Sequence, residues 1–84
     1  MPHFTKELKT DFGYAEFVFN RMYTVEGMRY YVSVNDNNHN SYFFRMQALG
    51  SRWIVVDKNV PEWVLKLQNE LSDAVVEHMA KNKP

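Results

Sequence analysis

The chain has 84 residues and no cysteine, which predicts a single domain over residues 1–84 and excludes disulfides, thiolate metal sites and a thiol nucleophile. Hydrophobic residues make up 45% of the sequence and aromatic residues 15%, so the chain carries enough apolar surface for a core and is not disordered. Ten basic residues balance ten acidic ones, and this zero formal charge argues against nucleic acid or an anionic membrane as a partner.

The N-terminal segment, residues 1–12, lacks the apolar run of a signal peptide, and no apolar run in the chain approaches the length of a membrane span. We therefore expect a cytoplasmic protein that does not enter a membrane. Phe4, Leu8 and Phe12 recur every four residues, which fits a short helix. A further strand is equally compatible with this segment, so its conformation stays open.

Apolar and polar residues alternate between residues 14 and 56, and residues that favour turns interrupt them at short intervals. This alternation predicts four strands, at 14–24, 28–35, 41–47 and 52–56. Glu26-Gly27 fits a two-residue hairpin turn, 36–40 a polar loop and 48–51 a third turn. Because short loops join antiparallel neighbours, we expect a meander of four strands, or of five if the N-terminal segment adds one.

The two faces of this sheet follow from the register of its hairpins. We centre the first hairpin on Glu26-Gly27, which places Phe19 opposite Val34, and the last turn on residues 49–50. One face then collects the apolar side chains Phe17, Phe19, Tyr23, Tyr30, Val32, Val34, Tyr42, Phe44, Met46, Trp53 and Val55. Arg21 is the misfit on this face, and either snorkelling at the sheet edge or a β-bulge would accommodate it.

From Val60 onward the apolar residues recur at intervals of three and four, which predicts a helix over 60–81. Asn59 can cap it, with Pro61 in the first turn and Glu62 three residues after the cap. Its buried stripe consists of Val60, Val64, Leu67, Leu71, Ala74, Val75 and His78. The predicted fold class is α+β, an antiparallel four- to five-stranded meander with one C-terminal helix packed on one sheet face.

The opposite face of the sheet carries aromatic and aliphatic side chains together with arginine. In the predicted register one row contains Met22, Tyr31, Arg45 and Ile54, and the next contains Asn20, Ser33, Phe43 and Val56. A third row contains Arg29, Gln47 and Arg52, and Glu16 is the only acid nearby. Since aromatic residues and arginine are enriched at interfaces, we predict a non-enzymatic module that binds a protein partner or a second copy of itself. The predicted interface residues are Tyr31, Phe43, Arg45, Ile54 and Val56.

Alternative roles for the aromatic residues stay open. The N-terminal segment can lie across this face, or scattered apolar residues can simply be tolerated there. A pocket between helix and sheet would instead make the chain a small-molecule or lipid-binding domain, and its lining would be Tyr30, Tyr42, Trp53 and Trp63. Aromatic residues interleaved with arginine also suit single-stranded nucleic acid, but the zero net charge argues against it. A second apolar strip lies on the predicted helix, at Leu65, Val76 and Met79, and either widens the contact with the sheet or the N-terminal segment or forms a helix–helix contact between two copies.

The sequence contains no pattern typical of catalysis or of metal binding. Its three histidines lie in different parts of the chain, and no acid, base and nucleophile can be combined. Asp36-x-Asn38-x-Asn40 has the opening spacing of a calcium loop, but Ser41 stands where that loop needs glycine, so we interpret it as a hairpin loop. We therefore expect no enzyme, no metal and no cofactor, while the role of His78 on the helical stripe stays open.

About the last half of the chain shows a resemblance to known sequences. Trp53 follows the Gly50-Ser51 turn in a predicted strand, Pro61-Glu62-Trp63 opens the predicted helix, and Leu71-Ser72-Asp73-Ala74-Val75 continues it. In these segments the chain resembles a group of small bacterial proteins of unknown function. The resemblance implies a β-meander closed by a C-terminal helix, and it transfers no active residue.

Overall fold

The computed structural model, which describes residues 3–81, contains one antiparallel sheet whose five strands lie side by side in chain order. The strands are β1 (His3–Thr10), β2 (Gly13–Thr24), β3 (Gly27–Asn35), β4 (Ser41–Leu49) and β5 (Arg52–Val55). Two helices follow, α1 (Glu62–Leu65) and α2 (Gln68–Lys81), and α2 packs on the sheet. The predicted α+β class and antiparallel meander are confirmed. The N-terminal segment, which allowed a helix or a strand, forms the fifth strand.

Two hairpin turns share the sequence Thr-x-x-Gly and the same hydrogen bonds. Thr10 Oγ1 donates to the carbonyl oxygen of Gly13 and accepts from the backbone N–H of Phe12. In the next hairpin, Thr24 Oγ1 likewise donates to the carbonyl oxygen of Gly27 and accepts from the backbone N–H of Glu26. The two glycines have φ of +120° and +122°, which side chains with a Cβ rarely adopt, so each glycine ends its loop.

The register of the β2–β3 hairpin therefore differs from the prediction. Its loop is Val25-Glu26 rather than Glu26-Gly27, and Phe19 pairs with Val32 instead of Val34. This changes each cross-strand partner by two residues. Because side chains alternate with a period of two, every side chain stays on its predicted face of the sheet.

The last hairpin shows the same kind of shift. Its turn is Gly50-Ser51 rather than residues 49–50, with Gly50 at a φ of +63°, and Met46 pairs with Val55 instead of Trp53. The β3–β4 register agrees with the prediction, including the pairing of Val32 with Phe44.

The core lies between α2 and the face of the sheet that was predicted to be apolar. Its largest fully buried side chains are Tyr30, Phe17, Phe19, Phe44, Met46, Leu71, Val32, Val64 and Val75. Tyr23 was predicted for this face but is 73% exposed, because it lies beside the β2–β3 turn. Arg21 pairs regularly with Tyr30 without a bulge, and its guanidinium carbon lies 5.7 Å from the centre of the Tyr23 ring. Its Nε is buried and has no hydrogen-bond partner within residues 3–81.

The predicted single helix over 60–81 is two helices. Pro61 is the N-cap of α1 and makes no side-chain capping bond, so the predicted cap at Asn59 is wrong. The break between α1 and α2 lets Lys66 Nζ approach Asp11 Oδ2 to 3.0 Å, and Trp63 packs edge-on against Phe12 at 4.9 Å. These contacts tie the break to the first hairpin turn. Neither helix within residues 3–81 has the length and apolar character to cross a bilayer.

Side chains at both edges of the sheet contact α2. At the β5 edge, the backbone N–H of Trp53 donates to Ser72 Oγ and that of Val55 donates to Gln68 Oε1, both at 2.9 Å. At the β1 edge, Lys6 lies on the helix side of the sheet, with its Nζ 3.8 Å from Glu77 Oε1. The capped N–H groups oppose strand addition at the β5 edge.

Candidate interaction surface

The side of the sheet that faces away from α2 is called the open face below. Its central row consists of Asn20, Tyr31, Arg45 and Val56, and the neighbouring row consists of Val18, Ser33 and Phe43. All five predicted interface residues lie on this face. Phe43 is 60% exposed and Tyr31 is 46% exposed, large fractions for aromatic rings in the middle of a sheet.

The shifted registers rearrange the predicted rows. Val56, whose N–H donates to the carbonyl oxygen of Arg45 at 3.0 Å, joins the row of Tyr31 and Arg45. Ile54 pairs with Gln47 in the next row rather than lying beside Arg45. The structure therefore brings Tyr31, Arg45 and Val56 into one row, with Phe43 in the neighbouring row and Ile54 one row away on the other side.

The N-terminal segment does not cover the open face. As strand β1 it extends the sheet beside β2, with Phe4 opposite Phe19 on the helix side. There the Phe4 ring is stacked between Phe19 at 4.4 Å and His78 at 4.0 Å. No other segment within residues 3–81 crosses the centre of the open face, since both helices belong to the opposite side or to the edge.

The charges on this face differ from the prediction that Glu16 is the only acid nearby. Asp57 Oδ1 accepts from Arg45 Nη2 at 2.6 Å and from Nε at 3.2 Å, while Oδ2 accepts from the Arg45 backbone N–H at 2.6 Å. These bonds from Arg45 hold the pKa of the Asp57 carboxyl below its ordinary value, although partial burial opposes them. The same pair raises the pKa of the Arg45 guanidinium.

The other two arginines of the predicted face also have acidic neighbours. Arg29 Nη2 lies 3.4 Å from Glu26 Oε1, across the turn. Arg52 Nη1 lies 3.0 Å from Asp73 Oδ1, which directs this side chain off the face and towards α2. Each of the three arginines predicted for this face therefore lies beside a carboxylate.

Sequence reasoning missed the residues that follow β5. Strand alternation places Asp57 on the helix side, but the chain turns after Val56 and brings its carboxylate to Arg45. A shallow depression on the open face is lined by Tyr31, Phe43, Arg45, Asp57, Lys58 and Asn59. The one signal for this arrangement was an acidic residue at a core-facing position directly after the last strand.

The four residues of the alternative pocket form two separate ring pairs. Tyr30 and Trp53 pack edge to face at 5.3 Å and are 1% and 6% exposed. Tyr42 and Trp63 pack edge to face at 5.8 Å, at a different place in the core. The two rings of each pair are in direct contact, and burial raises the pKa of the Tyr30 hydroxyl.

The loop with calcium-like spacing is organised by its own hydrogen bonds. Asp36 Oδ1 accepts from the N–H groups of Asn38 and Asn40, at 2.8 and 2.9 Å, and Oδ2 accepts from the Tyr42 hydroxyl at 2.9 Å. Burial raises the pKa of Asp36, but the bonds from Asn40, Asn38 and Tyr42 outweigh it and lower the pKa. Protein donors already occupy the carboxylate, as in an Asx turn, which supports the interpretation as a hairpin loop.

Residues 3–81 contain no group of three or more His, Cys, Asp or Glu side chains placed to hold a metal ion. Comparisons of the chain with protein-family models, with curated proteins and with solved structures found no significant match. The resemblance carried by Trp53 and Trp63 stays a prediction.

Proposed function

We propose that this protein is a non-enzymatic interaction module that self-associates through its open face. The observation that carries the proposal is the exposure of Tyr31 and Phe43 at the centre of a sheet face that no segment within residues 3–81 covers. Aromatic side chains surrounded by partly buried aliphatic residues are typical of the centre of an interface. Here the aliphatic neighbours are Val18, Met22, Ile54 and Val56.

The composition of the surface resembles an interface with an apolar centre and a polar rim. The depression beside Phe43 is bounded by the Arg45–Asp57 pair and by Lys58. The molecule measures 38 × 25 × 24 Å along its principal axes. A sheet face of that size is comparable to the ~800 Å² that each partner buries in an interface of standard size.

Association through the face is favoured over association through an edge. Side chains of α2 cap the outer N–H groups of Trp53 and Val55 in β5, and Lys6 of β1 carries its half-exposed charge on the helix side of the sheet. A second copy that added a strand at β1 would have to accommodate this charge, and at β5 it would have to displace α2. The open face offers contact without either cost.

The proposal is tested by substituting Phe43, whose ring is 60% exposed and lines no part of the core. We expect sedimentation equilibrium to show the wild-type chain as a reversible dimer with a Kd in the micromolar range, and Phe43→Asp as a monomer with an unchanged far-UV circular dichroism spectrum. Val76→Asp is the matched control, since Val76 is 42% exposed on α2 and should leave the dimer intact. A monomeric wild type, or a Phe43→Asp variant that stays dimeric, would overturn the proposal.

A further inference from the structure

The residues of the open face are arranged symmetrically about one buried row of the sheet. Phe19, Val32 and Phe44 are cross-strand partners and form this central row on the helix side. The row of Phe43 lies one residue to one side of it, and the row of Tyr31 lies one residue to the other side. The row of Phe43 and the row of Tyr31 on the open face are therefore equally distant from the central row.

The ends of the open face beyond these two rows differ in charge, with two carboxylates and Lys9 at one end and Arg29 beside Glu26 at the other. Glu7 and Glu16 are direct cross-strand partners at one end, and no ion pair joins either carboxylate to another residue within 3–81. Like charges directly opposite each other in a sheet repel and destabilise the pairing. A cation supplied by a binding partner would reduce the repulsion between these two carboxylates.

Arg29 lies at the other end of the open face, as the cross-strand partner of Met22. It lines a depression of about 400 Å³ together with Tyr31, Arg45 and Gln47. Its contact with Glu26 is long, at 3.4 Å, and the Glu26 side chain is 78% exposed. The Arg29 side chain itself is 19% exposed, and its Nη1 also donates to the carbonyl oxygen of Met28 at 3.3 Å, so only part of the guanidinium is open to a second carboxylate.

We infer, on the basis of the proposed function, that the second copy binds face to face about a two-fold axis that crosses the strands above the row Phe19–Val32–Phe44. Such an axis makes each strand lie antiparallel to the same strand of the second copy. A residue that precedes the central row by a given number of positions therefore lies over the residue that follows the central row by the same number in the second copy. Phe43 then lies over Arg45 of the second copy, and Glu16 lies over Met22 of the second copy and beside Arg29.

This arrangement brings complementary side chains of the two open faces together. Each Phe43 ring meets an arginine, a contact that aromatic faces favour, and this contact occurs twice because the interface is isologous. Glu16 meets the Arg29 end of the second copy, also twice. A two-fold axis along β3 would instead place Arg29 against Arg29 of the second copy, and like charges would meet.

Charge reversal at the two ends tests the axis. In Glu16→Arg and in Arg29→Glu, like charges meet at both symmetric contacts, so we expect each variant to raise the dimer Kd by more than about tenfold. In an equimolar mixture of the two variants, opposite charges meet at both contacts of a mixed dimer. We expect native mass spectrometry to show the mixed dimer as the dominant dimeric species, and circular dichroism to show both variants folded.

Two outcomes separate this inference from the proposed function. If the wild type is dimeric and Phe43→Asp dissociates it, but the mixture shows no preference for the mixed dimer, the axis is wrong and the interaction surface stands. If the wild type is monomeric, both fail. Should Arg29→Glu not fold, combining Glu16→Arg with Arg29→Gln replaces it, and recovery of self-association relative to Glu16→Arg alone supports the axis while no recovery contradicts it.

Discussion

Asp57 shows how one side chain ends a strand and shapes the neighbouring surface. Val56 still donates to the carbonyl oxygen of Arg45, but the next N–H group of the pairing, that of Arg45, donates to the Asp57 carboxylate instead of to a main-chain carbonyl. The same carboxylate holds the Arg45 guanidinium beside Tyr31. A single residue therefore terminates β5 and fixes the position of the arginine at the centre of the open face.

The Arg45–Asp57 pair predicts a dependence of stability on pH. The pKa of Asp57 in the folded state is lowered from its ordinary value of 3.8. The carboxylate therefore contributes its full stabilisation above pH ~4, and the contribution is lost as the pH falls through the lowered pKa. We expect the free energy of unfolding of the wild type, measured with urea between pH 6 and pH 2, to fall more steeply than that of Asp57→Asn.

At neutral pH the same comparison gives a small difference. Exposed ion pairs contribute up to about 1 kcal/mol, so we expect Asp57→Asn to lower the free energy of unfolding by about that amount. If the free energies of unfolding of Asp57→Asn and of the wild type change with pH in parallel, the Asp57 carboxylate does not stabilise the folded state through its lowered pKa.

Residue-level contacts were only partly predictable from the sequence. Alternation placed Tyr31 and Phe43 on the face away from the helix, because the period of a strand leaves only two sides for a side chain. The partner of Arg45 was not predictable, since it depends on the direction the chain takes after Val56, and alternation itself pointed the wrong way for Asp57.

At the scale of elements, α2 both covers the core and completes the hydrogen bonding of the sheet. Ser72 is 1% exposed, and its Oγ accepts the N–H of Trp53, an edge-strand donor that would otherwise be buried without a partner. Gln68 serves Val55 in the same way. The spacing of four residues between them puts both side chains on one face of the helix, towards β5.

Removal of the Ser72 hydroxyl should therefore lower the stability of the fold markedly, although it deletes a single atom of the side chain. A buried donor left without an acceptor costs about 1–3 kcal/mol, and we expect Ser72→Ala to lower the free energy of unfolding by this amount in urea denaturation. Ser51→Ala, in the exposed turn before β5, is the matched control and should change it by less than about 0.5 kcal/mol. Equal effects of the two substitutions would contradict the capping role.

The turns explain where element-level prediction succeeded and where it failed. Glycine at Gly27 marked a hairpin correctly, but the loop lies before it, because Thr24 bonds across Val25-Glu26 and leaves Gly27 as the first paired residue of β3. The pattern that sets this register, Thr-x-x-Gly, also occurs at Thr10 and was readable in the sequence. The helix break was not readable, since it depends on contacts of Trp63 and Lys66 with a distant turn.

At the scale of the whole molecule, β1 and β5 are joined through α2 rather than to each other. Phe4 of β1 stacks on His78 near the end of α2, and Trp53 of β5 is bonded to Ser72 nearer its start. The helix thus spans the concave side of the sheet from edge to edge. With that side filled, the open face is the surface that exposes Tyr31 and Phe43, while the helices expose a second apolar strip at Leu65, Val76 and Met79.

The fold class followed from the sequence because length, short loops and two hydrophobic periods leave few arrangements for one core. The choice of partner did not follow, because an exposed face is compatible with any complementary surface. Only the register revealed that the acidic pair Glu7–Glu16 and Arg29 lie at opposite ends of that face.

Backbone amide NMR spectra recorded over a dilution series test the central claim, that the open face is the surface of self-association. We predict concentration-dependent shift changes at Tyr31, Phe43, Arg45 and Glu16, and constant shifts for the exposed side of α2 around Val76. Changes confined to α2 or to the β1 edge, or spectra that do not change between millimolar and micromolar protein, would contradict the account.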